Sequence, residues 1–284
     1  MISCIICSRR PDVSAELKEN IANTIGCKYE LVVIDNSKNE YSIFSAYNEG
    51  VRRAKGDVLC FMHEDILYHT EGWGTIVINT FDQYPEYGLF GVAGSQVLPK
   101  SPTPWCSTLF TASTVFSDLL PAVSSTLVDI NRNIVPAVVV DGVWMSMPRD
   151  LFKTIRFDDT TYEGFHMYDI DTCLQVLNEG LKVGVITSIS IYHSSMGNYN
   201  VQWFDNMGIC WKKWENLLPY SVIDNPEITQ KTILYFDHVY NEMYFLRKDS
   251  YKMNRILSSH AYKIGCAILY PLKKMRALFQ NLIV

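Results

Sequence analysis

Three polar clusters in this sequence could do chemistry. His63-Glu64-Asp65 closes the apolar run from Val58 to Met62. An acid at a strand end can offer hard oxygen ligands to a divalent cation, and such a cation neutralises a diphosphate; the same triplet could equally cap or solvate a loop. Tyr168-Asp169-Ile170-Asp171 sets two carboxylates two residues apart at a helix start, where the macrodipole favours them. A free carboxylate there can act as general base to an alcohol nucleophile; the bland alternative is a pair of capping acids. His193, in IYHSSMGN, ends a strand. A neutral imidazole is a common metal ligand, although a lone strand-end histidine is more often a surface or satisfied residue.

The elements around these clusters read as an α/β alternation. Residues 2–7, 29–37 (ending in polar Asp35-Asn36-Ser37) and 58–62 are β-leaning runs; residues 14–25 and a stretch from Ser42 to about Ala54 read as helices between them. Strand, helix, strand, helix, strand with short connections predicts right-handed βαβ units and a parallel sheet. Ligands of such sheets bind beyond the carboxyl ends of the strands. The polar residues at those ends are Ser8 and Arg9, then Asp35 and Asn36, then His63, Glu64 and Asp65. Further on, the pattern predicts a helix over 72–84, strands over 88–97, 134–147 and 181–192, and a helix over 168–179. Residues 99–133 are rich in Pro, Ser and Thr and carry the isolated Trp105; they read as an insertion or lid, since long loops are more often functional than filler. Residues 201–284 form a mainly helical extension to a catalytic domain over 1–200.

The chain has 284 residues, 48% hydrophobic and 19% charged, which suits a sizeable core and excludes a disordered chain. The formal net charge of −5 offers no positive field for nucleic acid. Cys4 and Cys7 form a CxxC, a spacing used in redox and metal chemistry. On a strand, residues three apart face opposite sides, so the buried-strand reading prevails, and reduced thiols fit a cytoplasmic compartment. No secretory signal or stretch of about 20 apolar residues is visible.

The segments ISCIICSRRP, YELVVIDNS, AYNEGVRRAKGDVLCFMHEDI, GVAGS, DGVWMSMPRDLF, FHMYDIDTCL and IYHSSMGN, in this order over residues 1–200, resemble the GT-A glycosyltransferases. They are most similar to the family 2-like transferases of the streptomycin-biosynthesis-protein type. The resemblance implies a GT-A fold: a mostly parallel central sheet flanked by helices, with a helical C-terminal extension. It implies transfer of a sugar, with inversion, from a UDP-, GDP- or dTDP-sugar to a glycan or lipid-linked acceptor, in bacterial surface-glycan or secondary-metabolite glycan biosynthesis. Ser8, Arg9, Asp35, Asn36, Asn48, Arg52, His63 and Glu64 then border the nucleotide. Asp65 matches the last acid of the DxD motif and His193 an added ligand to the same Mn²⁺ or Mg²⁺. Asp169 matches the catalytic base and Asp171 the partner that orients the helix start. Trp105, Asp141, Gly142, Trp144 and His166 fall on the acceptor and donor-sugar side. His63 stands where DxD has its first acid, and this departure puts metal affinity in question.

Two other readings compete. A nucleotidyltransferase would bring metal and nucleotide to the same edge, but usually through a glycine-rich loop after the first strand, and Ser8-Arg9-Arg10-Pro11-Asp12 has no glycine. A degenerate transferase that only binds carbohydrate or a partner is favoured by His63 alone. The C-terminal residues 252–284 mix Lys252, Arg255, Lys263, Lys273, Lys274 and Arg276 with apolar residues. A basic amphipathic helix can lie on an anionic membrane, which would place the protein at the inner face of the membrane; packing on the catalytic domain or a homodimer interface is the alternative.

Overall fold

Apolar residues that are β-branched or aromatic and lack polar neighbours make central strands, because both faces can then be covered. In this computed structural model, which describes residues 1–118, 128–195 and 200–260, β1 (Ile2–Ser8) lies between β2 (Tyr29–Asp35) and β3 (Val58–Met62), parallel to both. β3 is buried along its whole length. The crossovers are α1 (Ala15–Thr24) and α2 (Ile43–Arg53), each started by a serine: Ser14 Oγ accepts from Leu17 N–H at 3.1 Å, and Ser42 Oγ from Ser45 N–H at 3.2 Å. Such caps satisfy backbone donors that the first helical turn leaves open.

After β4 (Ile66–Tyr68) and α3 (Trp73–Gln83), the run read as one strand over 88–97 is three: β5 (Tyr87–Gly91), β6 (Ala93–Ser95) and β7 (Val97–Leu98). Only β5 stays in the main sheet. β6 pairs with β8 (Thr111–Ser113), and β9 (Val115–Phe116) follows directly. The described part of the 99–133 insertion is therefore woven into small sheets; residues 119–127 lie outside the described residues. The run over 134–147 likewise divides into β10 (Ile134–Ala137), β11 (Val139–Val140) and β12 (Trp144–Pro148). α4 (Tyr168–Asn178) leads to β13 (Lys182–Ile186) and β14 (Ile191–His193). The chain continues through α5 (Val201–Lys213), β15 (Tyr220–Ser221) and α6 (Pro226–Ser258).

The main sheet has seven strands in the order β10-β13-β5-β12-β3-β1-β2. The parallel pairs are β2-β1, β1-β3 and β5-β13; β12 runs antiparallel between β3 and β5, and β10 antiparallel to β13. The antiparallel β12 was not readable from the sequence, because its residues, apolar but for Ser146, carry no sign of direction. Its Trp144 anchors the core: the indole donates to Tyr68 Oη at 2.7 Å and meets Trp73 edge-on. On the other face, Tyr47, Phe61 and Phe157 pack with ring centroids 4.9–5.2 Å apart.

The chain forms two compact units, Met1–Asn241 and Glu242–Val284. α5 belongs to the first: Trp203, Phe204, Met207, Cys210 and Trp211 are buried. Among the described residues no helix is long and apolar enough to cross a membrane. Cys4, Cys7, Cys27, Cys60, Cys173 and Cys210 are free thiols.

Candidate active site

Strand register assembles the site. Ser8 stands opposite Asp35, and Ile6 opposite Met62, so the polar residues after β1, β2 and β3 emerge at one edge of the sheet. Ser8 Oγ donates to Glu64 at 2.7 Å, and Arg9 Nε pairs with the other Glu64 oxygen at 2.8 Å. The backbone N–H of Arg9 adds a bond to the same carboxylate at 3.2 Å. Glu64 thus locks the β1 loop to the end of β3.

A turn at Glu64 and Asp65 follows β3 and keeps the Asp65 carboxylate close to His63. β14 pairs antiparallel with β4, setting His193 beside Ile66. The result is a cluster of His63, Asp65 and His193 whose ligand atoms all lie within 4.8 Å of one another. His63 Nδ1 is 3.2 Å from His193 Nε2, which is 3.3 Å from Asp65 Oδ1. Donors at right angles around a cation with bonds of about 2.2 Å sit roughly 3.1 Å apart, so the spacing suits a metal. Burial and the neighbouring His193 push the His63 pKa down, which keeps its imidazole neutral and able to ligate. Burial raises the Asp65 pKa, but hydrogen bonds from His193 and Ser195 outweigh it and hold the carboxyl well below the usual range. Two imidazoles and one carboxylate suit a transition metal better than Mg²⁺, which prefers oxygen ligands. The sequence placed His63 with the nucleotide; the structure adds it to the metal cluster. Residues 196–198 of the IYHSSMGN segment lie outside the described residues.

Asp169 and Asp171 part company. Two positions along a helix are about 200° apart. Asp169 lines a cavity with His63, Trp105, Asp141 and His166. Its carboxylate accepts from Gly142 N–H at 3.1 Å and Ile170 N–H at 2.9 Å. Burial, and then the nearby Asp141 carboxylate, raise its pKa to about 7, the range in which a general base works well. Asp171 turns inward, 1% exposed, and is held by Lys213 at 2.8 Å, Tyr162 Oη at 2.9 Å and Trp214 Nε1 at 2.8 Å. It fastens α4 to α5. Met167, just ahead of this helix, has φ 75°, a left-handed conformation that costs a non-glycine residue free energy and is met most often at functional sites.

Asp141 accepts from Trp105 Nε1 at 3.1 Å and Val143 N–H at 2.8 Å. Trp105 therefore belongs to the cavity wall, joined there by His166, whose pKa burial lowers. A second cavity, lined by Cys7, Arg9, Ile43 and Tyr47, shares His63 and Phe165 with the first. A third, with Arg9, Arg10 and Ser14, shares Arg9, Glu64 and Asp65 with the second. His63 thus stands between the first and second cavities and Asp65 between the second and third, with His193 touching both residues.

Four residues expected near a ligand are engaged elsewhere. The Asn36 side chain braces Tyr41 through two backbone bonds of 2.9 and 3.0 Å. Asn48 clasps the Phe157 backbone from α2, and Arg52 pairs with Glu49. Trp144 is fully buried in the core, because β12 turns its indole away from the cavity. Asp35 is exposed at the sheet edge, accepting from Ser37 N–H at 2.9 Å. Tyr168, which sequence reasoning did not single out, places its hydroxyl 3.0 Å from His63 Nε2; its position beside Asp169 was the one available signal.

A family model described as glycosyltransferase-like matches residues 1–208. No curated protein matches the sequence. Among solved structures, GalNAc-T7 with UDP, GalNAc and Mn²⁺ superposes at TM-score 0.52 and 11% identity, covering 94% of this chain and 58% of that one. The chain therefore spans little more than half the length of that protein. TarS from S. aureus in complex with UDP-GlcNAc gives 0.53 and 10% identity, over 83% and 71% of the two chains. The mannosyltransferase PcManGT from Pyrobaculum calidifontis, with GDP-Man and Mn²⁺, gives 0.50 and 12%, over 99% and 84%. At such identities the likeness is one of fold, and that fold is GT-A.

Proposed function

Since the chain belongs to the glycosyltransferase-like family, we propose that it moves a sugar from a nucleotide-sugar donor to an acceptor hydroxyl in a single inverting displacement. The observation that carries this reading is the cluster of His63, Asp65 and His193: His63 lines both the cavity holding Asp169 and the one holding Arg9, and Asp65 lines the latter. His63, Asp65 and His193 would hold a divalent cation, which when bound offsets negative charge on the leaving diphosphate. The solved relatives of the same fold include complexes with UDP, UDP-GlcNAc or GDP-Man, two of them with Mn²⁺.

Each residue then has a task. Ser8 and Arg9, fixed by Glu64, border the nucleotide. Asp169 takes the proton of the acceptor hydroxyl as its oxygen bonds to the anomeric carbon, and the bond from that carbon to the nucleoside diphosphate breaks. Gly142 N–H and Ile170 N–H orient the base. Trp105 offers an apolar face to a sugar ring and Asp141 accepts from its hydroxyls. Among the described residues that line this cavity there is no lysine or arginine. The catalytic portion comprises residues 1–200, and the basic, apolar C-terminal stretch brings the protein to a lipid-linked acceptor at a membrane surface.

A thermal-shift screen of nucleotide sugars with and without Mn²⁺ tests the reading. Stabilisation by at least one donor, larger with Mn²⁺ and lost with EDTA, is expected. No response to UDP-, GDP- or dTDP-sugars under either condition would count against it.

A further inference from the structure

We propose that Tyr168 is a positioning residue of the metal cluster: its hydroxyl fixes His63 in the tautomer whose Nδ1 lone pair faces Asp65 and His193. The inference rests on the reading of those three residues as cation ligands. A neutral imidazole carries its proton on one ring nitrogen and its lone pair on the other. Each nitrogen of His63 has its own partner: Nε2 lies 3.0 Å from Tyr168 Oη, and Nδ1 lies 3.2 Å from His193 Nε2. A proton on Nδ1 would point into the cluster and occupy the space a cation needs. A proton on Nε2, donated to the phenol oxygen, leaves Nδ1 as a ligand. Metal-binding histidines commonly give their second N–H to such a partner, which sets the ring orientation.

The phenol is held independently of this bond. Its ring packs edge-on against Tyr47 and Phe44, with centroids 5.6 and 6.3 Å away. Gly142 leaves the room: a Cβ at that position would lie 2.2 Å from the Tyr168 hydroxyl oxygen. Tyr168 also lines the cavity with Asp141 and Asp169, so its own O–H proton can be donated there while the oxygen accepts from His63. Gly142, Tyr168 and His63 come from three separate segments, and removing any one of them breaks the arrangement.

Two measurements test this. In metal-free wild-type protein with ¹⁵N-labelled histidine, long-range ¹H–¹⁵N correlations should identify His63 as the Nε2–H tautomer; an Nδ1–H tautomer overturns the assignment. Separately, Mn²⁺ binding followed by electron paramagnetic resonance should weaken about 10- to 100-fold in Tyr168→Phe, with far-UV circular dichroism unchanged. Equal Mn²⁺ affinity in wild type and Tyr168→Phe overturns the role of Tyr168 and leaves the cation reading intact. Absence of Mn²⁺ binding in wild type removes both. Should Tyr168→Phe not fold, the tautomer measurement on wild type still decides.

Discussion

At the scale of single residues, Asp169 carries the sharpest expectations. Removing one general base costs ~10²–10⁴ in rate, so Asp169→Asn should lose transfer to that extent while still binding donor; turnover at the wild-type rate would remove it from the base role. With its pKa raised to about 7 by burial and then by Asp141, kcat/KM should fall on the acid side with a midpoint near 7. Asp141→Asn removes the second cause, so the midpoint should move down; an unmoved limb would mean another group sets it. The same shift has a cost in stability. An unfolded aspartate releases its proton near ~3.9, whereas the folded one keeps it to about 7. The folded state therefore binds more protons between these values, and stability at this group is fully present below roughly pH 4 and lost as pH rises through 7. Asp169→Asn should accordingly raise Tm at pH 8 and leave it nearly unchanged at pH 4.

At the scale of elements, the contrast between Asp169 and Asp171 shows what the sequence could and could not carry. The spacing announced two acids at a helix start, and α4 begins there. Which acid faces the cavity depends on the roll of the helix against its neighbours, and that is set by Lys213, Tyr162 and Trp214, the first and last of them more than 40 residues downstream. Nothing local encodes such a partner. β1, β2, β3, α1 and α2 were legible almost to the residue, because serine caps and unbroken apolar runs are local signals. The division of 88–97 and 134–147 into short strands was not legible, since each piece changes partner rather than composition. His63 shows the same limit: its type suggested a lost acid, and only the pairing of β14 with β4 brought His193 to it. Because Asp171 fastens two helices through a buried ion pair, Asp171→Ala should destabilise the fold by about 3 kcal/mol. Urea unfolding at pH 7 measures this, and a change within ~0.5 kcal/mol would mean that Asp158, also 2.8 Å from Lys213, satisfies the lysine alone.

At the scale of the whole molecule, a transferase whose acceptor sits at a lipid surface needs some means of being held there, and the chain has no membrane-crossing helix among its described residues. The second unit, Glu242–Val284, has the composition for surface attachment. Within it Leu246, Met253, Ile256 and Leu257 are 70, 55, 55 and 42% exposed, and Lys252 and Arg255 lie in the same stretch, exposed to solvent. Apolar side chains entering the acyl boundary, with basic ones meeting anionic headgroups, bind peripherally and with a salt dependence. Residues 261–284, which hold the remaining basic side chains named from the sequence, lie outside the described residues. Truncation after Asn241 leaves the first unit whole and removes this stretch. The full chain should co-sediment with phosphatidylglycerol vesicles at low salt and be released at high salt, whereas the truncated chain should stay in solution at both. Equal sedimentation of the two chains would locate membrane contact, if there is any, on the catalytic unit. No sedimentation of either would leave the acceptor to be sought among water-soluble glycans.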